Sequence, residues 1–158
     1  MKELQFLIDN NIKDKGEYQL TNALENMKQK GKIFSIGTVD EWLDCGNKDA
    51  TVYTSQRVLE HNKNTRMVNE NVGLINSEII EPCYIANGIT IKNSKIGPHV
   101  SIDSGSTIED SEISNSIIQS KSNIKNAKLK NSMIGNHTFF DGHKVDQEIS
   151  IGDYCEIR

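Results

Sequence analysis

The stretch Ser94-Lys-Ile-Gly-Pro-His-Val-Ser-Ile-Asp-Ser-Gly-Ser-Thr-Ile-Glu-Asp-Ser-Glu-Ile-Ser-Asn-Ser-Ile-Ile118 decides the fold. Its isoleucines recur at long, fixed intervals: Ile96 returns as Ile113, and Ile102 as Ile118. Worked outward, the same rule gives three ladders. They are Ile80, Ile96, Ile113 and Leu129; Ile85, Ile102, Ile118 and Ile134; and Ile91, Ile108, Ile124 and Phe140. Every step is 16 or 17 residues. A helix repeats its apolar residues every three to four positions and a simple strand every two, so neither accounts for the pattern. A fixed long period is the mark of a solenoid. Three faces, each a short strand with one apolar side chain pointing inward, make one turn of that length. Stacked turns sit about 4.8 Å apart, so each ladder residue rests on its equivalent in the next turn. Each buried Ile contributes roughly 1.5–3 kcal/mol. Asn87-Gly88, Ser104-Gly105 and Gly135-Asn136 supply the corners.

This reading explains the composition. The 158 residues carry a net charge of −4, only 35% hydrophobic residues and only 6% aromatics. This composition argues against a thick mixed core, whereas stacked Ile columns need no aromatic residues. No apolar run reaches the ~18 residues of a membrane span, and the acidic balance argues against nucleic acid as the partner. Three widely spaced cysteines, Cys45, Cys83 and Cys155, suit a reducing cytoplasm better than a disulfide framework. Composition breaks near residue 70: four Ile lie in residues 1–69 and seventeen in 70–158. We expect a first domain over 1–66 and the coil over 70–158, with a loop near 141–148 and the coil resuming at Ile149, Ile151 and Ile157.

The first domain reads as mixed α/β. Apolar spacing predicts helices over Met1–Ile12, Gln19–Lys30 and Ala50–Leu59, and residues 32–39 read as a strand. A single strand cannot make a sheet, so this part reads as the edge of something larger.

Phrases such as Ser94-Lys-Ile-Gly-Pro-His-Val-Ser-Ile102 and Asn131-Ser-Met-Ile-Gly-Asn-His-Thr138 resemble the hexapeptide repeats of left-handed parallel β-helices. Two further phrases are Gly16-Glu-Tyr-Gln-Leu-Thr-Asn-Ala-Leu24 and Val39-Asp-Glu-Trp-Leu-Asp-Cys-Gly-Asn47. With the repeat, they resemble the C-terminal portion of sugar-1-phosphate nucleotidyltransferases of the glucose-1-phosphate thymidylyltransferase type. Fold class is thus mainly β: a left-handed parallel β-helix preceded by an α/β remnant of the nucleotidyltransferase domain. The resemblance implies a reaction between a nucleoside triphosphate and a sugar 1-phosphate that releases pyrophosphate, assisted by Mg²⁺. It makes Asp44, in the Trp-x-Asp-x-Gly turn, one metal ligand; Glu17 and Thr21 are candidates to face the substrate. The family's Gly-rich triphosphate loop, its second metal-binding Asp and its sugar-contacting Glu-Lys positions are absent, and Asn22 replaces the usual Asp. The chain alone is therefore expected to be inactive, to hold no metal tightly and to form homo-oligomers.

The residues also admit plainer roles. Asp44 is a turn acid beside Gly46, and Glu17 and Thr21 start and cap a helix. Trp42 is a packing residue, and Cys45 a small packed thiol without an activating partner. His99 and His137 fall at coil corners, where a hexapeptide-repeat acyltransferase places a catalytic base; that enzyme class and a non-catalytic oligomerisation scaffold are the alternatives. His61 and His143 lie in connectors without metal-ligand spacing.

Overall fold

The structure is a computed structural model and describes residues 2–158. It divides into two compact units, one ending at Trp42 and one spanning Leu43–Arg158.

The smaller unit holds helices α1 (Lys2–Asp9) and α2 (Leu20–Gln29). Each is amphipathic, with Leu7 and Ala23 buried where they pack together. Between them, Lys15 and Gly16 take left-handed backbone angles in a tight turn closed by a bridge between Asp14 and Glu17. Lys30 Nζ holds Glu3 at 2.8 Å across the pair. After α2, Lys32 N–H bonds the Met27 carbonyl at 3.0 Å and regular structure stops. Residues 32–39 form no strand, against the expectation, because no second strand lies beside them among the described residues.

The larger unit is the solenoid. It begins with helix α3 (Lys48–His61), longer than expected at both ends, so His61 belongs to its last turn. Asn47 caps it, its Oδ1 accepting from Ala50 N–H at 2.9 Å. Seventeen short strands follow in three parallel sheets. The first sheet stacks Met67–Val68, Cys83–Ile85, Val100–Ile102, Ser116–Ile118, Met133–Ile134 and Ser150–Ile151. The second runs from Gly73–Ile75 through Thr107–Glu109 to Glu156–Ile157, and the third from Glu78–Ile79 through Glu112–Ser114 to Asp146–Gln147. The chain visits the sheets in turn, giving five full coils and two sides of a sixth.

The register matches the ladders. Ile85, Ile102, Ile118 and Ile134 are paired in sequence, as are Ile91, Ile108, Ile124 and Phe140. All eight are buried. The third ladder begins at Ile79, not Ile80, since Ile79 pairs Ile96. The Ile80 carbonyl instead faces Gly97, which has room for it. Residues 141–148 continue the coil: Asp141 ends a strand, 143–144 make the corner, and Asp146–Gln147 pairs Lys128–Leu129.

Inside the corners run columns of buried hydroxyls. Ser94 N–H bonds Ser77 Oγ, Ser111 N–H bonds Ser94 Oγ, and Ala127 N–H bonds Ser111 Oγ, each at 3.0 Å. Ser106, Ser122 and Thr138 make a second column, and Ser116, Ser132 and the Ile149 N–H a third. A corner turns backbone N–H groups away from the sheet ladders, and an unpaired buried N–H costs about 1–3 kcal/mol. Each serine accepts one such proton. Ser94 and Ser111 also donate to the carbonyl two residues earlier at 2.7 Å.

Candidate functional site

The turn Leu43–Gly46 leads directly into α3. Asp44 is exposed. Its Oδ1 accepts from Cys45 N–H at 2.8 Å, and its backbone carbonyl accepts from Thr54 Oγ1 at 2.6 Å, one and a half turns into the helix. Thr51 Oγ1 lies 3.3 Å from the Cys45 carbonyl, besides bonding the Asn47 carbonyl at 2.8 Å. The helix thus holds the turn through two hydroxyls. Gly46 matters here for space: a Cβ there would lie 3.1 Å from Asp44 Oδ2, so a side chain would crowd the carboxylate. The arrangement presents one carboxylate oxygen outward from a pinned turn.

One carboxylate is not a metal site. Among the described residues no group of three or more His, Cys, Asp or Glu is placed to hold a metal ion. Mg²⁺ demands near-octahedral oxygen ligation, usually completed by further carboxylates, water and substrate phosphates. The residues present do not by themselves fit Mg²⁺.

Glu17 lies in the other unit, exposed at the end of the tight turn, where its carboxylate accepts from Gln19 Nε2 at 3.2 Å. The residue capping α2 is Gln19, without a side-chain cap bond, so neither Glu17 nor Thr21 caps the helix. Trp42 is 84% exposed and packs no core, and Cys45 is exposed instead of packed. The apolar surroundings that those two assignments need are not supplied by the neighbouring turn. Cys83, by contrast, is fully buried, and burial pushes its thiol up to about 11, so it is inert.

Both corner histidines sit where the period puts them, in left-handed backbone. Each has a defined neighbour. His99 Nε2 lies 2.5 Å from Glu60 Oε1 in the last turn of α3. His137 stacks on Tyr154, with ring centroids 4.9 Å apart.

Sequence reasoning missed how α3 lies on the coil. Lys48, Val52, Ser55 and Leu59 fall on one helical face, and Val52 and Leu59 are buried. Lys48 Nζ donates to the Asn131 carbonyl at 3.0 Å and to Glu148 Oε1 at 2.5 Å. Ser55 and Ser101 hydroxyls meet at 3.1 Å, and Glu60 takes His99. The signal was the 48-52-55-59 spacing, which is visible in the sequence.

These contacts shift carboxylates. The hydrogen bond from His99 holds Glu60 below the usual carboxylate range, and that from Lys48 does the same for Glu148. The Lys92 ammonium lowers Glu109, and the His143 N–H, followed by Asn126, lowers Asp141. The unfolded chain therefore binds more protons than the folded one in acid. Their stabilisation is fully present above about pH 4.5 and is lost as pH falls through the depressed values. Thermal unfolding followed from pH 7 to pH 3 should show a flat Tm, then a decline below about pH 4.5. Glu60→Gln should shallow that decline, and an equally steep fall in the variant would remove the Glu60–His99 pair from the account.

The outer face of the third sheet carries Glu78, Lys95, Glu112, Lys128 and Asp146 in one column. Signs alternate coil by coil, three acids to two bases, so the column offers no basic track for a nucleic acid backbone.

The fold defines a three-sided parallel β-solenoid protein with an acidic turn at the foot of its docked helix. No protein-family model matches the chain. It is 29% identical over 161 residues to the bifunctional protein GlmU of Latilactobacillus sakei subsp. sakei (strain 23K), which covers 90% of this chain and 34% of that protein. It is 27% identical to the bifunctional protein GlmU of Limosilactobacillus reuteri (strain DSM 20016), with the same coverage. It is 26% identical over 139 residues to the glucose-1-phosphate thymidylyltransferase of Streptomyces griseus, covering 78% of this chain and 39% of that protein. The names of these homologues support a nucleotidyltransferase family, as the two phrases around Glu17 and Asp44 implied. The chain spans between a third and two-fifths of the length of these relatives. No helix among the described residues is long and apolar enough to cross a membrane.

Proposed function

We propose that the chain is the solenoid-bearing part of a sugar-1-phosphate nucleotidyltransferase and works together with a nucleotide-binding part. In the complete enzyme a phosphate oxygen of the sugar 1-phosphate attacks the α-phosphorus of a nucleoside triphosphate. The bond to the α–β bridging oxygen breaks and pyrophosphate leaves with that electron pair, giving a nucleoside-diphosphate sugar. The attacking oxygen is already anionic at neutral pH, so no general base is needed, and catalysis rests on positioning and charge neutralisation. Asp44 is the residue of this chain offered to that chemistry, as one ligand of a Mg²⁺ completed by groups from elsewhere. Glu17 is offered as a substrate-facing group. Self-association belongs to the same proposal, and the cytoplasm, where the nucleotide pool lies, is its setting.

The observation that carries this reading is the Asp44 turn, pinned by Thr54, in a chain homologous to a thymidylyltransferase. The test is pyrophosphate release from nucleoside triphosphates with glucose 1-phosphate. The chain alone should release none. Joined to a nucleotide-binding part it should release pyrophosphate, and Asp44→Ala should lower that rate on the order of 100-fold. An unchanged rate would remove Asp44 from the site, and acyl transfer from an acyl-coenzyme A by the chain alone would replace the reading altogether.

A further inference from the structure

Helix α3 carries the Asp44 turn, and it lies along the stack against the direction in which the coils advance. Its last turn meets the corner after the second coil, where Glu60 takes His99. Its first residue, Lys48, meets the corners after the fourth and fifth coils, at Asn131 and Glu148. Three coils rise about 14 Å and twelve helical residues about 18 Å, so the helix reaches from one corner to the other. A cation in the first turn opposes the helix dipole, so Lys48 does not serve to make the helix. Its contacts account for it. The ammonium holds Glu148 and Asp49, each at 2.5 Å, and the Asn131 carbonyl at 3.0 Å. Asn131 Nδ2 reaches Glu148 Oε2 at 3.5 Å, and Asn115 Nδ2 donates to Asn131 Oδ1 at 2.6 Å, so a ladder of amides along the corner backs the anchor. Packing alone does not close this end of the helix. A cleft of about 290 Å³ opens there, between Tyr53 and Gln56 on the helix and Asn115, Asn131 and Glu148 on the coil. The path from Lys48 to the turn is short. Thr51 and Thr54 bind turn carbonyls, and Asp44 Oδ1 is held by Cys45 N–H. A tilt of the first two helical turns would carry the carboxylate with it.

We propose that Lys48 is a positioning residue: through it the fifth coil, by way of Glu148, fixes the direction in which Asp44 presents its carboxylate. What that carboxylate serves rests on the function proposed above; the coupling of coil to turn does not.

The test is the NMR order parameter of the backbone amides at residues 43–47, measured on the chain itself. These should be rigid, at about 0.85, and Lys48→Met or Glu148→Gln should lower them below about 0.6 while residues 57–61 stay unchanged. Lys48→Arg, which keeps the donors, should keep the turn rigid, and so should Glu60→Gln at the far end of the helix. A turn that stays rigid in both Lys48→Met and Glu148→Gln would overturn the proposal. So would equal loosening by Glu60→Gln, or loss of order along the whole helix, which would make the pair an ordinary structural contact. In the chain joined to a nucleotide-binding part, Lys48→Met should lower kcat on the order of 10-fold with the KM for nucleoside triphosphate unchanged. The same substitution should have no further effect beside Asp44→Ala, and a full-sized loss in that background would also overturn the proposal. A turn loosened as expected in an enzyme that releases no pyrophosphate would sink the function and leave the coupling standing; pyrophosphate release with a turn rigid in both variants would do the reverse.

Discussion

An alanine at position 97 is expected to cost about 4 kcal/mol or more, enough to unfold much of a domain whose total stability is of the usual 5–15 kcal/mol. Two effects add. Gly97 has φ +107°, which L-residues rarely adopt, and a Cβ there would stand 2.0 Å from the Ile80 carbonyl oxygen and 2.9 Å from Cys83 Sγ. The oxygen belongs to the backbone, and that strand is fixed by hydrogen bonds on both sides of the contact. Ile80 N–H bonds the Ile96 carbonyl at 2.8 Å, and Gly97 N–H bonds the Ile113 carbonyl at 2.8 Å. Relief would require two successive coils to part. Gly88→Ala separates the two effects. Its φ of +70° is also left-handed, yet the nearest atom to an added Cβ is 4.0 Å away. That variant should lose only about 1–2 kcal/mol. Urea unfolding of both variants gives the comparison. A Gly97→Ala chain as stable as Gly88→Ala would mean that Ile80 does not approach residue 97 as described.

Ile80 and Gly97 also show what the sequence holds and what it withholds. The period allows steps of 16 and 17, so Ile79 and Ile80 fit the third ladder equally well. Only the pairing of Ile79 with Ile96, and the glycine opposite the Ile80 carbonyl, decides between them. The other two ladders contain no adjacent pair at their starting positions and are legible without help. The corner serines recur with the same period, at 77, 94 and 111 and at 106 and 122, so their columns could have been found. Their burial was the obstacle, because hydroxyl residues at corners read as solvated turns. The candidate site was less legible for a different reason. Asp44 is positioned by Thr54 through a side-chain bond, and no apolar period reports such a contact. The 32–39 segment was readable as a strand from composition, but a strand exists only with a partner, and composition says nothing of whether one is present.

The ladders can be tested by position. Ile108→Ala should cost about 2–5 kcal/mol, whereas Leu74→Ala, in the same column, should cost about 1 kcal/mol or less. Ile108 is fully buried in the middle of its column, with Ile91 on one side and Ile124 on the other. Its truncation removes three carbons and leaves a void that parallel strands on both sides cannot close without breaking their hydrogen bonds. Leu74 pairs only Ile91 and is 47% exposed, so water can refill the space. A solenoid further predicts that the damage spreads to nearest neighbours first. In Ile108→Ala, amides of the coils carrying Ile91 and Ile124 should lose hydrogen-exchange protection before those around Ile151. A globular core of the same composition would lose protection everywhere together. Equal costs at 74 and 108, with uniform loss of protection, would therefore argue against stacked columns. The opposite result would tie the stability of this chain to contacts between successive turns, which is the feature that lets so few aromatic residues hold it together.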